Sequence, residues 1–212
     1  MTERSMRMVT TQGRQAARGA YDRETVLRRC VDAFNEHGYE ATSMGMLSKV
    51  LGISKSGIYH HVSSKEEILE VASDRALAAL EGVRTECEAM SAQATGEVVW
   101  SAVLEHLLRE TVRLAVEERP YVALLLRLRG NSPVETAALE RRRELTRYTE
   151  DLMVKAAAAG ELSPAVNPRL QARLQLGMVN SVVEWFTVEG EVGVGELQDN
   201  VVEMVFRGIS AR

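Results

Sequence analysis

Proline occurs only four times in the 212 residues. Because proline removes a backbone donor and clashes inside a helix, its scarcity leaves room for long, unbroken helices. Cysteine is limited to Cys30 and Cys87. Two thiols without ligand spacing exclude a zinc ribbon and a disulfide-stapled scaffold. Cys30 lies on an apolar helical stripe and reads as a buried thiol, with a redox sensor as the sharper alternative. No apolar run approaches the roughly 18 residues of a membrane span, and residues 1–20 lack the apolar stretch of a secretion signal. A cytoplasmic protein with no membrane partner is expected. Paired carboxylates, a serine–base arrangement and a phosphate loop are also missing, so neither an enzyme nor a resident cofactor or metal is expected. Strand alternation and internal repeats are absent too.

What is present favours helices. Hydrophobic residues make up 45% of the chain, and Leu, Ala, Glu and Arg are strong helix formers. The length suits a small module of roughly 50–70 residues joined to a larger one. The net charge of −4 argues against nucleic acid as a partner, but its distribution does not. Residues 1–69 hold ten Lys/Arg and eight Asp/Glu, whereas the remainder holds 16 and 22. A basic head on an acidic body is the pattern of a nucleic-acid-binding module fused to something else.

Residues 1–20 contain four arginines and one acid with no apolar period, and read as a mobile basic arm. A first helix is expected from a cap at Asp22 through Val26, Leu27, Cys30, Val31 and Phe34 to a left-handed Gly38. Thr42 or Ser43 caps a short second helix that Gly52 stops. Ser54 caps a third, running to about His61. Ser63/Glu66 and Ser64/Glu67 are two overlapping capping boxes that open a long fourth helix. Further helices are expected over 96–118, 119–130, 132–160, 169–186 and 194–209.

The turn Gly52-Ile53-Ser54 between two short helices has helix-turn-helix spacing, although many helical proteins have glycine turns. The helix after Ser54 suits a DNA major groove. Gly57 costs roughly 1 kcal/mol of helix propensity, and close approach to a partner would compensate. Lys55 and Ser56 can reach base edges or phosphates. Tyr59, His60 and His61 carry donors for phosphate oxygens, and Lys65 adds a cation at the next helix start. Adjacent histidines on a helix point about 100° apart, so His60 and His61 do not suit one metal.

The stretch TVLRRCVDAFNEHGYEATSMGMLSKVLGISKSGIYHHVSSKEEIL resembles the N-terminal domain of TetR/AcrR-type transcriptional regulators. The resemblance rests on Phe34, Gly38-Tyr39, Thr42-Ser43, Leu47, Gly52-Ile53-Ser54, Ile58-Tyr59-His60 and Ser64-Lys65-Glu66. Ser48 and Val62 depart from the family pattern at packing positions. The resemblance implies an all-α homodimer with a three-helix head and an effector-binding body. It places Thr42 and Ser43 at the DNA backbone, Lys55 and Ser56 at bases, and Tyr59, His60 and Lys65 at phosphates, around Gly57. The expected domains are residues 21–68 for the helix-turn-helix head and 69–212 for effector binding and dimerisation. LGMVNSVVEWF and the segment that follows are similar to regulators that sense acyl-CoA thioesters. The head sequence is similar to actinobacterial regulators of phenylacetate catabolism, so the resemblance implies a small hydrophobic or acyl-CoA effector, with phenylacetyl-CoA as one candidate.

In the body, Leu174, Met178, Val182 and Trp185, with Leu197, Val201, Met204 and Val205, form apolar helix faces. They suit a four-helix dimer interface, or plain core packing. Candidate pocket residues are Trp100, Leu104, Leu107, Tyr121, Leu125, Tyr148, Met178 and Trp185, with Asn180 as a buried polar group for a ligand or a dimer mate, and with Arg127 and Arg129 as phosphate-binding groups or simply a solvated helix end near Gly130. The expected function is a repressor released from a palindromic operator by a small effector. The alternatives are a helical interaction module without DNA recognition, or an enzyme.

Overall fold

The computed structural model describes residues 22–188 and 190–209; the expected basic arm, residues 1–20, lies outside them. Among the described residues the helices are α1 (Arg23–His37), α2 (Met44–Leu51), α3 (Lys55–Tyr59), α4 (Lys65–Ala92), α5 (Trp100–Glu117), α6 (Arg119–Arg127), α7 (Pro133–Ala158), α8 (Pro168–Trp185) and α9 (Val194–Ile209). No strand occurs among these residues, and the all-α expectation holds. None of the helices is long and apolar enough to cross a membrane. The chain divides into two compact units, Met1–Leu69 and Glu70–Arg212.

In the first unit, the Asp22 carboxylate caps α1 by accepting from the Thr25 N–H at 2.8 Å. Hydrogen bonds from the Thr25 backbone and side chain hold the Asp22 carboxyl below its ordinary range. The apolar stripe buries Val26, Leu27, Cys30, Val31, Ala33 and Phe34. Gly38 ends α1 with φ of +85°, but its ψ of 140° sends the chain out extended rather than through the expected left-handed turn. Ser43 caps α2 through the Met46 N–H at 3.2 Å, and Gly52 stops it in the left-handed region at φ +69°. Ser54 caps α3 through the Gly57 N–H at 3.1 Å. This helix ends at Tyr59 rather than His61, because His60 and His61 continue as a turn. Only one capping box forms at α4. Ser64 Oγ accepts from the Glu67 N–H at 3.0 Å, while Glu67 Oε2 reaches back one residue further, to the Ser63 N–H at 2.6 Å. Leu47, Leu51, Ile58, Val62, Ile68 and Leu69 complete this small core.

In the second unit, α8 packs along α7, α9 packs on α5, and α5 also meets α7 and α8. Two carboxylates fix helix starts. Glu161 accepts from the Trp100 and Ser101 N–H groups at 2.9 and 2.6 Å, the open donors at the start of α5. The buried Glu135 accepts from the Arg129 and Gly130 N–H groups, each at 2.8 Å, and shapes the turn before α7. Both satisfy donors that a helix or loop leaves without partners. His106 on α5 is only partly covered and bonds Glu86 at 2.9 Å.

Candidate functional site

α3 presents Lys55, Ser56 and Tyr59 to solvent, and the turn after it presents His60, while Ile58 anchors the helix in the core. Tyr59 is 50% exposed, and its hydroxyl has no hydrogen-bond partner among the described residues. Ser56 Oγ lies 2.9 Å from Ser54 Oγ. A Cβ built on Gly57 would meet nothing closer than Ser54 Oγ at 3.4 Å. Packing within the chain therefore leaves room for a side chain at Gly57. The Ser48 hydroxyl, at a position read as packing, donates to the Ile53 carbonyl at 2.6 Å and ties α2 to the turn.

The second unit holds a cavity of about 580 Å³ between α4, α5, α6, α7 and α8. Such a volume is within the range of ~300–1,000 Å³ typical of small-molecule sites. Its wall is largely aliphatic, with Leu107, Val122, Leu125, Leu126, Leu145 and Val179. Polar groups break the wall at Arg84, Arg142, Tyr148, Asn180 and Glu184. Burial pushes the Tyr148 phenol up to about 12, so it stays a neutral donor at ordinary pH.

Two family models cover most of the chain. The model of bacterial regulatory proteins of the tetR family matches residues 27–72, and the tetracyclin repressor-like C-terminal domain matches residues 98–209. The chain belongs to the TetR family. It is a DNA-binding transcriptional regulator and not an enzyme, so the interaction-module and enzyme alternatives give way. Among TetR regulators of known structure, SCO3833 from Streptomyces coelicolor A3 is 44% identical and superposes with a TM-score of 0.77, covering 88% of this chain and 92% of that one. The HTH-type transcriptional regulator UidR of Escherichia coli K12 is 25% identical over 173 residues, 76% of this chain and 79% of UidR. AibR, solved with isovaleryl coenzyme A and operator DNA, shares the fold at 22% identity with a TM-score of 0.70, covering 87% of this chain and 97% of AibR.

Within this TetR head the structure redistributes several expected roles. Thr42 is only 1% exposed, and its hydroxyl donates to the Gly38 carbonyl at 2.7 Å. Its expected place at the DNA backbone is corrected: it closes the turn between α1 and α2. Ser43 is exposed, with its hydroxyl engaged as the α2 cap. The Lys65 ammonium donates to the Tyr39 carbonyl at 2.9 Å, which leaves two of its three N–H groups for other partners.

In the TetR body, Leu107, Leu125, Tyr148 and Asn180 line the cavity as expected. Six expected pocket residues do not. Trp100 lies at the start of α5 beneath the Lys155 ammonium, 4.7 Å from its ring centre. Tyr121 is buried with the Arg75 guanidinium 4.4 Å from its ring centre. Arg127 is exposed and pairs with Glu184 at 3.2 Å, so its charge is already matched. Met178 is half-buried outside the wall. Trp185 is 59% exposed, its Nε1 donating to Ser181 Oγ at 3.3 Å. Leu104 borders only a separate void of about 10 Å³, too small for an effector.

Of the expected interface residues, Leu174 and Met204 are exposed, whereas Val182, Leu197, Val201 and Val205 are buried within the chain. These four serve intrachain packing, because only one side of α8 and of α9 faces outward. Sequence reasoning missed Arg84 and Arg142 in the cavity. Arg142 sits in ERRREL, which reads as a solvated face. Its signal was its register: Ala138, Leu139, Thr149, Leu152 and Met153 are buried on the same stripe of α7.

Proposed function

We propose that this TetR-family regulator is a homodimeric repressor that leaves a palindromic operator when a small hydrophobic or acyl-CoA effector enters the body cavity. The cavity of about 580 Å³ with an aliphatic wall is the observation that carries the effector side of this reading. On the DNA side, the exposed Lys55, Ser56 and Tyr59 of α3 and His60 of the turn after it supply donors for bases and phosphates. Gly57 supports the same assignment. Nothing within the chain requires its missing side chain, whereas a groove floor would.

Leu170, Leu174 and Trp185 are exposed along one face of α8, and Met204 on α9. An apolar stripe of that kind suits a second copy of the chain. Two heads about 34 Å apart would then read successive major grooves of a palindrome. Residues 21–68 would serve as the DNA head and residues 69–212 as the effector and dimer domain. The effector would act by population shift, favouring head spacings that do not match the operator by no more than its difference in affinity between them. AibR, bound to isovaleryl coenzyme A, makes a thioester a reasonable first effector to try, and phenylacetyl-CoA another.

Fluorescence anisotropy against the intergenic DNA beside the gene for this protein, at two salt concentrations, tests this reading. Phenylacetyl-CoA and a medium-chain acyl-CoA are the added ligands. Specific binding released by a thioester is expected. Binding that is weak and equal on unrelated DNA would overturn the operator assignment, and binding that neither thioester touches would overturn the acyl-CoA one.

A further inference from the structure

The charges around the cavity are matched except at one residue. Arg84 in the wall pairs with Glu88 at 2.8 Å. Glu184 in the wall pairs with Arg127 at 3.2 Å. Both neighbours of Arg142 on α7 have carboxylates as well: Arg141 bonds Asp74 and Glu81 at 2.5 and 2.9 Å, and Arg143 bonds Glu140 at 3.1 Å. Arg142 has none among the described residues. Its Nη1 donates to the Leu125 carbonyl at 3.0 Å, and a carbonyl offers a dipole but no countercharge. Burial, and then the charge of Arg143, lower its proton affinity. An arginine nevertheless remains a cation at any physiological pH. The cavity wall therefore carries a half-buried, uncompensated guanidinium, which is costly unless an anion completes it.

The neighbouring polar groups separate into spent and unspent. The Thr111, Thr146 and Thr149 hydroxyls donate to carbonyls one turn back on their own helices, at 2.7, 3.1 and 3.0 Å. The Tyr148 hydroxyl and the Asn180 amide, both in the wall, have no hydrogen-bond partner among the described residues. Arg142, Tyr148 and Asn180 thus supply open donors to a cavity whose other surface is mainly leucine and valine.

We infer that the ligand of this cavity is an amphiphile with an anionic head, held by Arg142 and assisted by Tyr148 and Asn180, and an apolar body lying against Leu107, Leu126 and Leu145. This rests on the proposal that the cavity is the effector site, and it narrows the effector class. The anion could be the carboxylate of a free acid or a phosphate of a coenzyme A thioester. Either makes the charge-assisted, two-pronged hydrogen bonding that a guanidinium favours.

Isothermal titration calorimetry of the full chain with decanoate, decanoyl-CoA and 1-decanol tests the inference. At least one anion should bind, and 1-decanol should bind at least about tenfold more weakly, since a hydrogen bond to a charged group contributes about 1.5–3 kcal/mol and 1.4 kcal/mol is tenfold. Arg142→Gln should cost that anion about tenfold and leave 1-decanol unchanged, whereas Arg142→Lys should restore part of the loss. Binding of decanoate identifies a free acid, and binding of decanoyl-CoA alone identifies a thioester. Equal binding of 1-decanol and both anions, or anion binding indifferent to Arg142→Gln, overturns the inference, as does failure of both anions to bind. Should Arg142→Gln fail to fold, the parent's preference between anion and alcohol decides. Anisotropy on operator DNA separates the two readings. An anion bound through Arg142 that leaves the DNA complex intact sinks the effector proposal alone, and release by 1-decanol with no anion preference sinks this one alone.

Discussion

The Lys65 ammonium donates to the Tyr39 carbonyl at 2.9 Å and lies 4.1 Å from the centre of the Tyr39 ring. Tyr39 in turn meets Phe34 edge-on at 5.1 Å. The first residue of α4 is thereby fastened to the chain leaving α1, so a residue first read as a phosphate ligand also holds the head together. Lys65→Met keeps most of the aliphatic stem and removes the charge. It should lower the stability of the head by about 1–2 kcal/mol, the sum of one charged hydrogen bond and one partly exposed cation–π contact. Urea denaturation followed by circular dichroism reads the change. An unaltered midpoint would show that the tie contributes nothing.

Gly57→Ala separates folding from DNA recognition. A Cβ fits at that position, and alanine favours a helix by about 1 kcal/mol over glycine. The variant should be as stable as the parent or slightly more so, while operator affinity falls about tenfold or more because the added methyl holds α3 off the groove. A stable variant with parental affinity would show that Gly57 does not approach the DNA.

Tyr59 tests the phosphate assignment on the same helix. With its hydroxyl open and half its surface exposed, Tyr59→Ala should weaken operator binding without changing the oligomeric state. Because a phosphate contact carries little sequence information, the loss should be similar on matched and mismatched operators. A loss confined to the matched operator would move Tyr59 from phosphate to base contact.

The head was legible because its signals are local. Asp22, Ser43, Ser54 and Ser64 each cap a helix through a donor three residues on, and spacing of that kind can be read from a sequence. The cavity was less legible because it is made by long-range packing. Leu125 and Asn180 stood out as apolar or misplaced within their own helices, but whether Trp100 or Arg142 faces a space depends on which helix lies opposite. The choice between the two readings of Arg127 was open for the same reason: its partner Glu184 is 57 residues away. Thr42 was misread differently. Family likeness gave it a DNA role, and only the extended exit at Gly38 shows its hydroxyl turned inward onto that carbonyl.

Cys30 and Cys87 are free and buried, and burial pushes both thiols up to about 11. A raised folded pKa means the thiol stays protonated where an unfolded one, near 9.0, would ionise. The corresponding stability is complete below about 9 and is lost as pH rises toward 11. A protonated, covered thiol is a poor nucleophile. A thiol-reactive dye at mildly alkaline pH should therefore label neither cysteine in the native protein and both after denaturation. Rapid native labelling of Cys30 would revive the redox-sensor alternative.

Leu174 carries the dimer proposal. It is 60% exposed in the middle of α8, with Leu170 one turn before it and Trp185 further along the same face. Isolated exposed leucines are ordinary, but a stripe of them along one helix needs a partner. Because Leu174 makes little core of its own, Leu174→Glu should leave the monomer folded while placing two like charges against each other across a two-fold axis. Sedimentation velocity should show a dimer for the parent and a monomer for the variant. Operator affinity should fall with it, since a single head engages one half-site only. A variant that remains dimeric would exclude this face of α8 as the interface. A monomeric variant with undiminished operator affinity would keep the interface and remove the need for two heads on the DNA.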